Sequence, residues 1–118
     1  MSRLADHHIE ELQQASRNEY VTHNETPSLS GKTVGSYRVG FITASFEDLV
    51  LAFGMPRRLD NTYDGTFYQW DIEFGDGTIA TIYDYNMKQP GYDVMDWHVG
   101  GKSFDAATLV ATAVLRAV

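Results

Sequence analysis

Residues 68–85 read YQWDIEFGDGTIATIYDY, and this stretch decides the fold. Tyr68, Trp70, Ile72 and Phe74 alternate with Gln69, Asp71 and Glu73. A strand turns successive side chains to opposite faces, so this run has one apolar and one acidic face. Gly75-Asp76-Gly77 reads as a hairpin turn, and Thr78–Tyr85 is apolar or β-branched at nearly every position. Two strands joined by so tight a turn pair antiparallel.

Downstream, residues 86–95 read as a loop with Pro90-Gly91 as its turn signal. Trp97 and Val99 mark a short third strand that Gly100-Gly101 ends. Ser103 is expected to cap a last helix, with Asp105 in its first turn. Phe104, Ala107, Val110, Ala111, Val114 and Ala117 would face the sheet, the alanines allowing close approach. Upstream, Pro56–Thr66 is polar and turn-rich. Ser45 reads as an N-cap for a helix over Phe46–Phe53, with Phe46, Leu49, Val50 and Phe53 on one face. Gly54 and Pro56 stop that helix. Tyr37, Val39 and Phe41 alternate with Arg38 and Gly40, the pattern of a strand.

Residues 22–36, THNETPSLSGKTVGS, have linker composition. Leu4, His8, Leu12 and Ala15 repeat at helical spacing over 4–20, but the apolar stripe is thin. A marginal helix or loosely attached arm is expected there. The division is therefore an arm and linker over 1–35 and a compact domain over 36–118. The expected class is α+β, in the order (α)-β-α-β-β-β-α. It has an antiparallel sheet of three to four strands with helices packed on one face. The other sheet face, bearing Asp71 and Glu73, is expected to meet water.

The chain has 118 residues, 43% of them hydrophobic, enough for one core and too few for two. Its net charge of −7 lacks the basic footprint of a nucleic-acid or peripheral membrane protein. The charge is concentrated: between Asp60 and Asp96 eight acids face a single Lys88. Without cysteine there is no disulfide and no thiolate metal site. No apolar run reaches the length of a membrane span, and the start, MSRLADHHIEE, lacks the centre of a signal peptide. The expected location is the cytoplasm.

The run Phe74–Tyr85, with Asp76-Gly77 followed by ATIYDY, precedes Trp97-His98-Val99-Gly100-Gly101 by a short loop. Together with Asp48-Leu49-Val50, Phe53-Gly54 and Pro56, these motifs resemble small uncharacterised proteins encoded in bacteriophage and prophage genomes. The resemblance covers residues from about Thr43 onward, roughly two-thirds of the chain. It implies a bacterial host cytoplasm and no particular chemistry.

Several residues are candidates for chemistry. Gly31-Lys32-Thr33 has the tail of a phosphate-binding loop, but Thr26 stands where that motif needs its first glycine. His7-His8 are adjacent and point about 100° apart on a helix, so they do not chelate together. Gly100-Gly101-Lys102 leads toward a helix start, an anion-site pattern whose plain reading is a tight strand-to-helix turn. Asp84 and His98 would share a face if their strands pair, as a carboxylate orienting an imidazole does. No nucleophile motif completes them. Asp71 and Glu73 lie two apart on one strand face, an acidic patch able to occupy a basic groove on another protein.

The expected function is a non-catalytic, phage-type accessory protein. It would bind and inhibit a bacterial host protein, in host takeover or anti-defence, through an acidic, aromatic-rich surface. The contact residues expected are Asp71, Glu73, Asp84, Tyr85, Trp97 and His98, with no cofactor, no metal, no nucleic acid and no membrane. Self-association as a homodimer is left open. The alternative is a small-ligand protein that binds or sequesters a nucleotide or metabolite. Its pocket would lie between the sheet and the last helix, lined by Tyr83, Tyr85, Trp97 and His98.

Overall fold

A computed structural model describes residues 19–24, 30–33, 35–61 and 63–118. The helix expected over 4–20 falls outside the described residues except for its last two positions, as do His7 and His8. Among the described residues the architecture is α+β, an antiparallel sheet of six strands with two helices. In chain order these are β1 (Tyr20–Thr22), β2 (Tyr37–Ala44), α1 (Phe46–Phe53), β3 (Arg57–Asn61), β4 (Thr66–Phe74), β5 (Ile79–Tyr83), β6 (Met95–Gly101) and α2 (Asp105–Ala117). A single helical turn, Ser30–Thr33, packs against β5.

The sheet runs β1-β4-β5-β6-β2, with β3 also on β4. β1 pairs with the Ile72–Phe74 end of β4, and β3 with the Thr66–Gln69 end. The 68–85 hairpin is as read: Phe74 donates to the Thr78 carbonyl at 2.9 Å and Gly77 sits at φ 88. α1 also keeps its expected bounds. The Ser45 hydroxyl accepts from the Asp48 N–H while the Asp48 carboxylate accepts from the Ser45 N–H, a reciprocal capping box.

Two strands replace expected loops, which corrects the count of three to four. β1 is three residues of good strand formers inside a Thr/Asn/Pro/Ser-rich stretch, too short for periodicity to reveal it. It is held by pairing to β4 and by Asn24, whose amide donates to the Phe53 carbonyl and whose oxygen accepts from the Asp71 N–H. Residues 20–24, assigned by sequence to the arm and linker, thus belong to the same sheet as 37–101. β3 reads RRLDN, poor in β-formers, and its Arg57 is fixed by an ion pair described below.

The core lies between the sheet and the two helices. Trp70 and Trp97 meet edge to face at 5.4 Å, and their indole N–H groups donate to the Gly54 and Ala44 carbonyls. Both rings are 0% exposed. α2 buries Ala106, Leu109, Val110, Ala113 and Val114, a stripe rotated from the expected one. The rotation follows from the start: Phe104, not Ser103, stands at the N-cap, makes no capping bond and leaves its ring 74% exposed. The close approach is real. A Cβ on Gly101 would come within 2.7 Å of the Ala106 Cβ, and one on Gly40 within 2.9 Å of the Ala107 Cβ.

Candidate functional site: a cleft on the open sheet face

The sheet register lines up side chains on the face away from the helices. One row crosses five strands: Arg57 on β3, Gln69 on β4, Tyr83 on β5, His98 on β6 and Phe41 on β2. The next row is Asp71, Thr81, Gly100 and Arg38. Strict alternation would put Arg38 and Phe41 on opposite faces. A bulge between Arg38 and Gly40 shifts the parity, and the Arg38 guanidinium lies 4.8 Å from the Phe41 ring centroid.

A cleft of about 560 Å³ opens on this face, lined by Arg38, Gln69, Thr81, Tyr83, Tyr85 and His98, with Leu59, Asp64 and Thr66 at its far end. At Gly100 the second row carries no side chain, and the Thr81 hydroxyl and the Tyr83 ring close over that position: a Cβ there would come within 2.5 Å of the one and 3.4 Å of the other. The His98 ring is surrounded by Phe41, Tyr83 and Tyr85 at centroid distances of 5.0, 5.3 and 5.4 Å. Burial, and after it the positive charge of Arg38, holds His98 below its ordinary 6.5, against the pull of Asp84. The ring is therefore neutral near pH 7, with one donor and one acceptor nitrogen.

Asp84 does not orient His98. Its side chain is 0% exposed, and Oδ1 accepts from the backbone N–H groups of Phe67 and Tyr68 at 2.8 and 2.9 Å. It ties the end of β5 to the start of β4. Burial raises its pKa above 3.8, opposed by those N–H donors, and Oδ2 has no hydrogen-bond partner.

The acidic face is internally compensated. Asp71 is only 3% exposed, accepting from Arg57 Nη1 at 2.8 Å and from the Gln69 amide at 2.9 Å. Glu73 accepts from Lys32 at 2.8 Å, with His23 at 3.6 Å, and the lysine holds its carboxyl below the ordinary range. Lys32 of the Gly-Lys-Thr tripeptide is thus engaged with Glu73. Gly100 and Gly101 lie within β6 and form no anion-holding turn.

Of the six expected contact residues, Tyr85 and His98 are brought together at the cleft. Asp71, Asp84 and Trp97 are buried, and Glu73 is ion-paired. Trp97 points into the core, opposite to His98, so the expected pocket between sheet and last helix is corrected: Tyr83, Tyr85 and His98 line the cleft on the face away from α2. Sequence reasoning gave no site role to Arg38, Gln69 or Thr81. The parity of Tyr83 and His98 was a usable signal for the row, but the bulge that turns Arg38 onto the open face leaves no mark in composition.

No helix among the described residues is long and apolar enough to cross a membrane, and no group of three potential metal ligands occurs among them. Comparison of the chain with protein-family models, with curated proteins and with solved structures finds no match.

Proposed function

We propose that this chain is a non-catalytic binding protein whose site is the cleft on the open sheet face. The observation that carries this reading is the convergence of three tyrosine and histidine rings, one arginine, and amide and hydroxyl groups on a single 560 Å³ opening. Ligand sites are concave, of this size, and combine apolar walls with a few placed polar groups. Binding without turnover fits the engagement of the acid–base candidates: Asp84 is turned to the β4 backbone, and the His98 ring is packed among aromatics. Native mass spectrometry of the protein incubated with a bacterial metabolite extract tests this. A bound small molecule is expected on the native chain and is lost on Arg38→Glu; retention by a folded Arg38→Glu protein contradicts the site.

A second reading keeps the host protein as partner and moves its contact surface. Phe41 and Tyr85, each 51% exposed, stand beside the cleft with Arg38, a composition that anchors protein interfaces. The bacteriophage resemblance supports a bacterial target, with inhibition as the consequence. The exposed acids Asp76, Asp93 and Asp96 lie in turns and at strand ends and supply the steering charge. A pull-down from bacterial lysate at low and high salt tests it. One stoichiometric partner, released by Phe41→Ser with Tyr85→Ser, is expected; retention by that variant contradicts this surface.

A further inference from the structure

Resting on the cleft reading above, we propose that the ligand is a planar aromatic ring carrying a phosphate or carboxylate group, with Arg38 holding the anion and the ring lying against Tyr83, Tyr85 and His98.

Three observations lead to this class. The first is charge. Arg38 is the sole cation among the described residues lining the cleft, and it makes no ion pair with any described carboxylate. The carboxylate that lines the cleft, Asp64, lies beyond β4, and its Oδ1 already accepts from the Thr66 N–H at 3.0 Å. A guanidinium held over a ring, with its N–H fork otherwise unused, fits a carboxylate or phosphate.

The second is shape. The cleft offers about 560 Å³ of space over the open sheet face. Rings at 5.0–5.4 Å around His98 form an aromatic wall next to that space. Flat apolar ligands gain most from such walls, through offset and edge-to-face contact.

The third is the donor balance. The Arg38 fork can only donate, and the Thr81, Tyr83 and Tyr85 hydroxyls, which can donate or accept, can turn their hydrogens toward the same ligand. An oxyanion is rich in the acceptors that such groups need.

Isothermal titration of the full chain tests the class with five probes: adenosine monophosphate and indole-3-carboxylate as ring-bearing anions, adenosine and indole as their uncharged rings, and inorganic phosphate as anion without ring. At least one ring-bearing anion is expected to bind about tenfold or more tighter than both its uncharged ring and phosphate. Which of the two binds separates a phosphate source from a carboxylate one. Arg38→Gln is expected to bring the anion down to the affinity of its uncharged ring, and Tyr83→Leu to weaken both. Equal binding of charged and uncharged rings overturns the class, and so does binding of neither anion. In the latter case, a different compound that shifts the Arg38, Tyr83 and His98 amide resonances leaves the cleft standing as a site. Absence of any such compound removes the site as well.

Discussion

The Arg38 guanidinium lies over the Phe41 ring, 4.8 Å from its centroid, although the two residues stand three apart on one strand. A regular strand sends positions three apart to opposite faces. The bulge between Arg38 and Gly40 brings both onto the open face, where Arg38 becomes the cation of the cleft. Arg38→Gln is expected to change stability by no more than about 0.5 kcal/mol, since the side chain is exposed, while removing the charge that an anion needs. Urea unfolding midpoints read the first effect and ligand titration the second.

The buried Asp71–Arg57 pair makes a different demand. Arg57→Ala leaves a nearly buried carboxylate with only the Gln69 amide for company. Loss of about 2–3 kcal/mol is expected, at the lower end for breaking a buried pair because the arginine side chain is 25% exposed. The sequence places Asp71 on a face that meets water, where charge reversal would be harmless to folding; in the structure Asp71→Lys sets two cations together in a buried site, and a fall in the urea midpoint is expected.

Two neighbouring glycines should respond unequally to alanine. At Gly100 the nearest obstacle is the Thr81 hydroxyl, a side-chain atom that can rotate away. At Gly101 the new Cβ meets Ala106 Cβ at 2.7 Å and the backbone oxygen of Ile79 at 3.2 Å, neither of which can move freely. Gly101→Ala is expected to cost about 1–3 kcal/mol as overpacking, more than Gly100→Ala. Gly100→Ala should instead weaken ligand binding, by turning aside the Thr81 hydroxyl that lines the cleft. Equal costs at the two positions would contradict the close helix–sheet contact.

Buried Asp84 and half-buried His98 give slopes of opposite sign. His98 has a folded pKa below its ordinary 6.5, so the folded state binds fewer protons there than the unfolded chain. Its contribution is present above pH 6.5 and is lost as pH falls through the folded value. Asp84 has a folded pKa above 3.8; its contribution is present below that value and is lost as pH rises through the folded one. Denaturant unfolding across pH should therefore show His98→Gln flattening the slope below pH 6.5. Asp84→Asn should abolish the acidic slope yet keep the acceptor for the Phe67 and Tyr68 N–H groups. Asp84→Ala removes that acceptor and is expected to cost about 1–3 kcal/mol.

Strong local patterns made much of the fold legible. The alternation at 68–74, the Gly75–Gly77 turn and the Ser45/Asp48 capping box are each settled by a few adjacent residues. β1 and β3 escaped because their strand character comes from pairing with β4, a long-range contact that leaves three to five residues little local signature. The site was legible in part. Tyr85 and His98 are there, but Asp71 and Glu73 looked like a free acidic face because their counter-charges, Arg57 and Lys32, sit 14 and 41 residues away. Trp97 was assigned to the surface by its aromatic character, whereas its parity on β6 sends it to the core.

The most direct test of the cleft as the binding site is amide chemical-shift mapping of the isotope-labelled chain against a library of small aromatic acids and their neutral counterparts. Shifts clustered at Arg38, Gln69, Thr81, Tyr83, Gly100 and His98 are the expected result. Shifts clustered on the helix side, around exposed Leu51 and Leu115, or no compound moving the cleft residues at all, would contradict it.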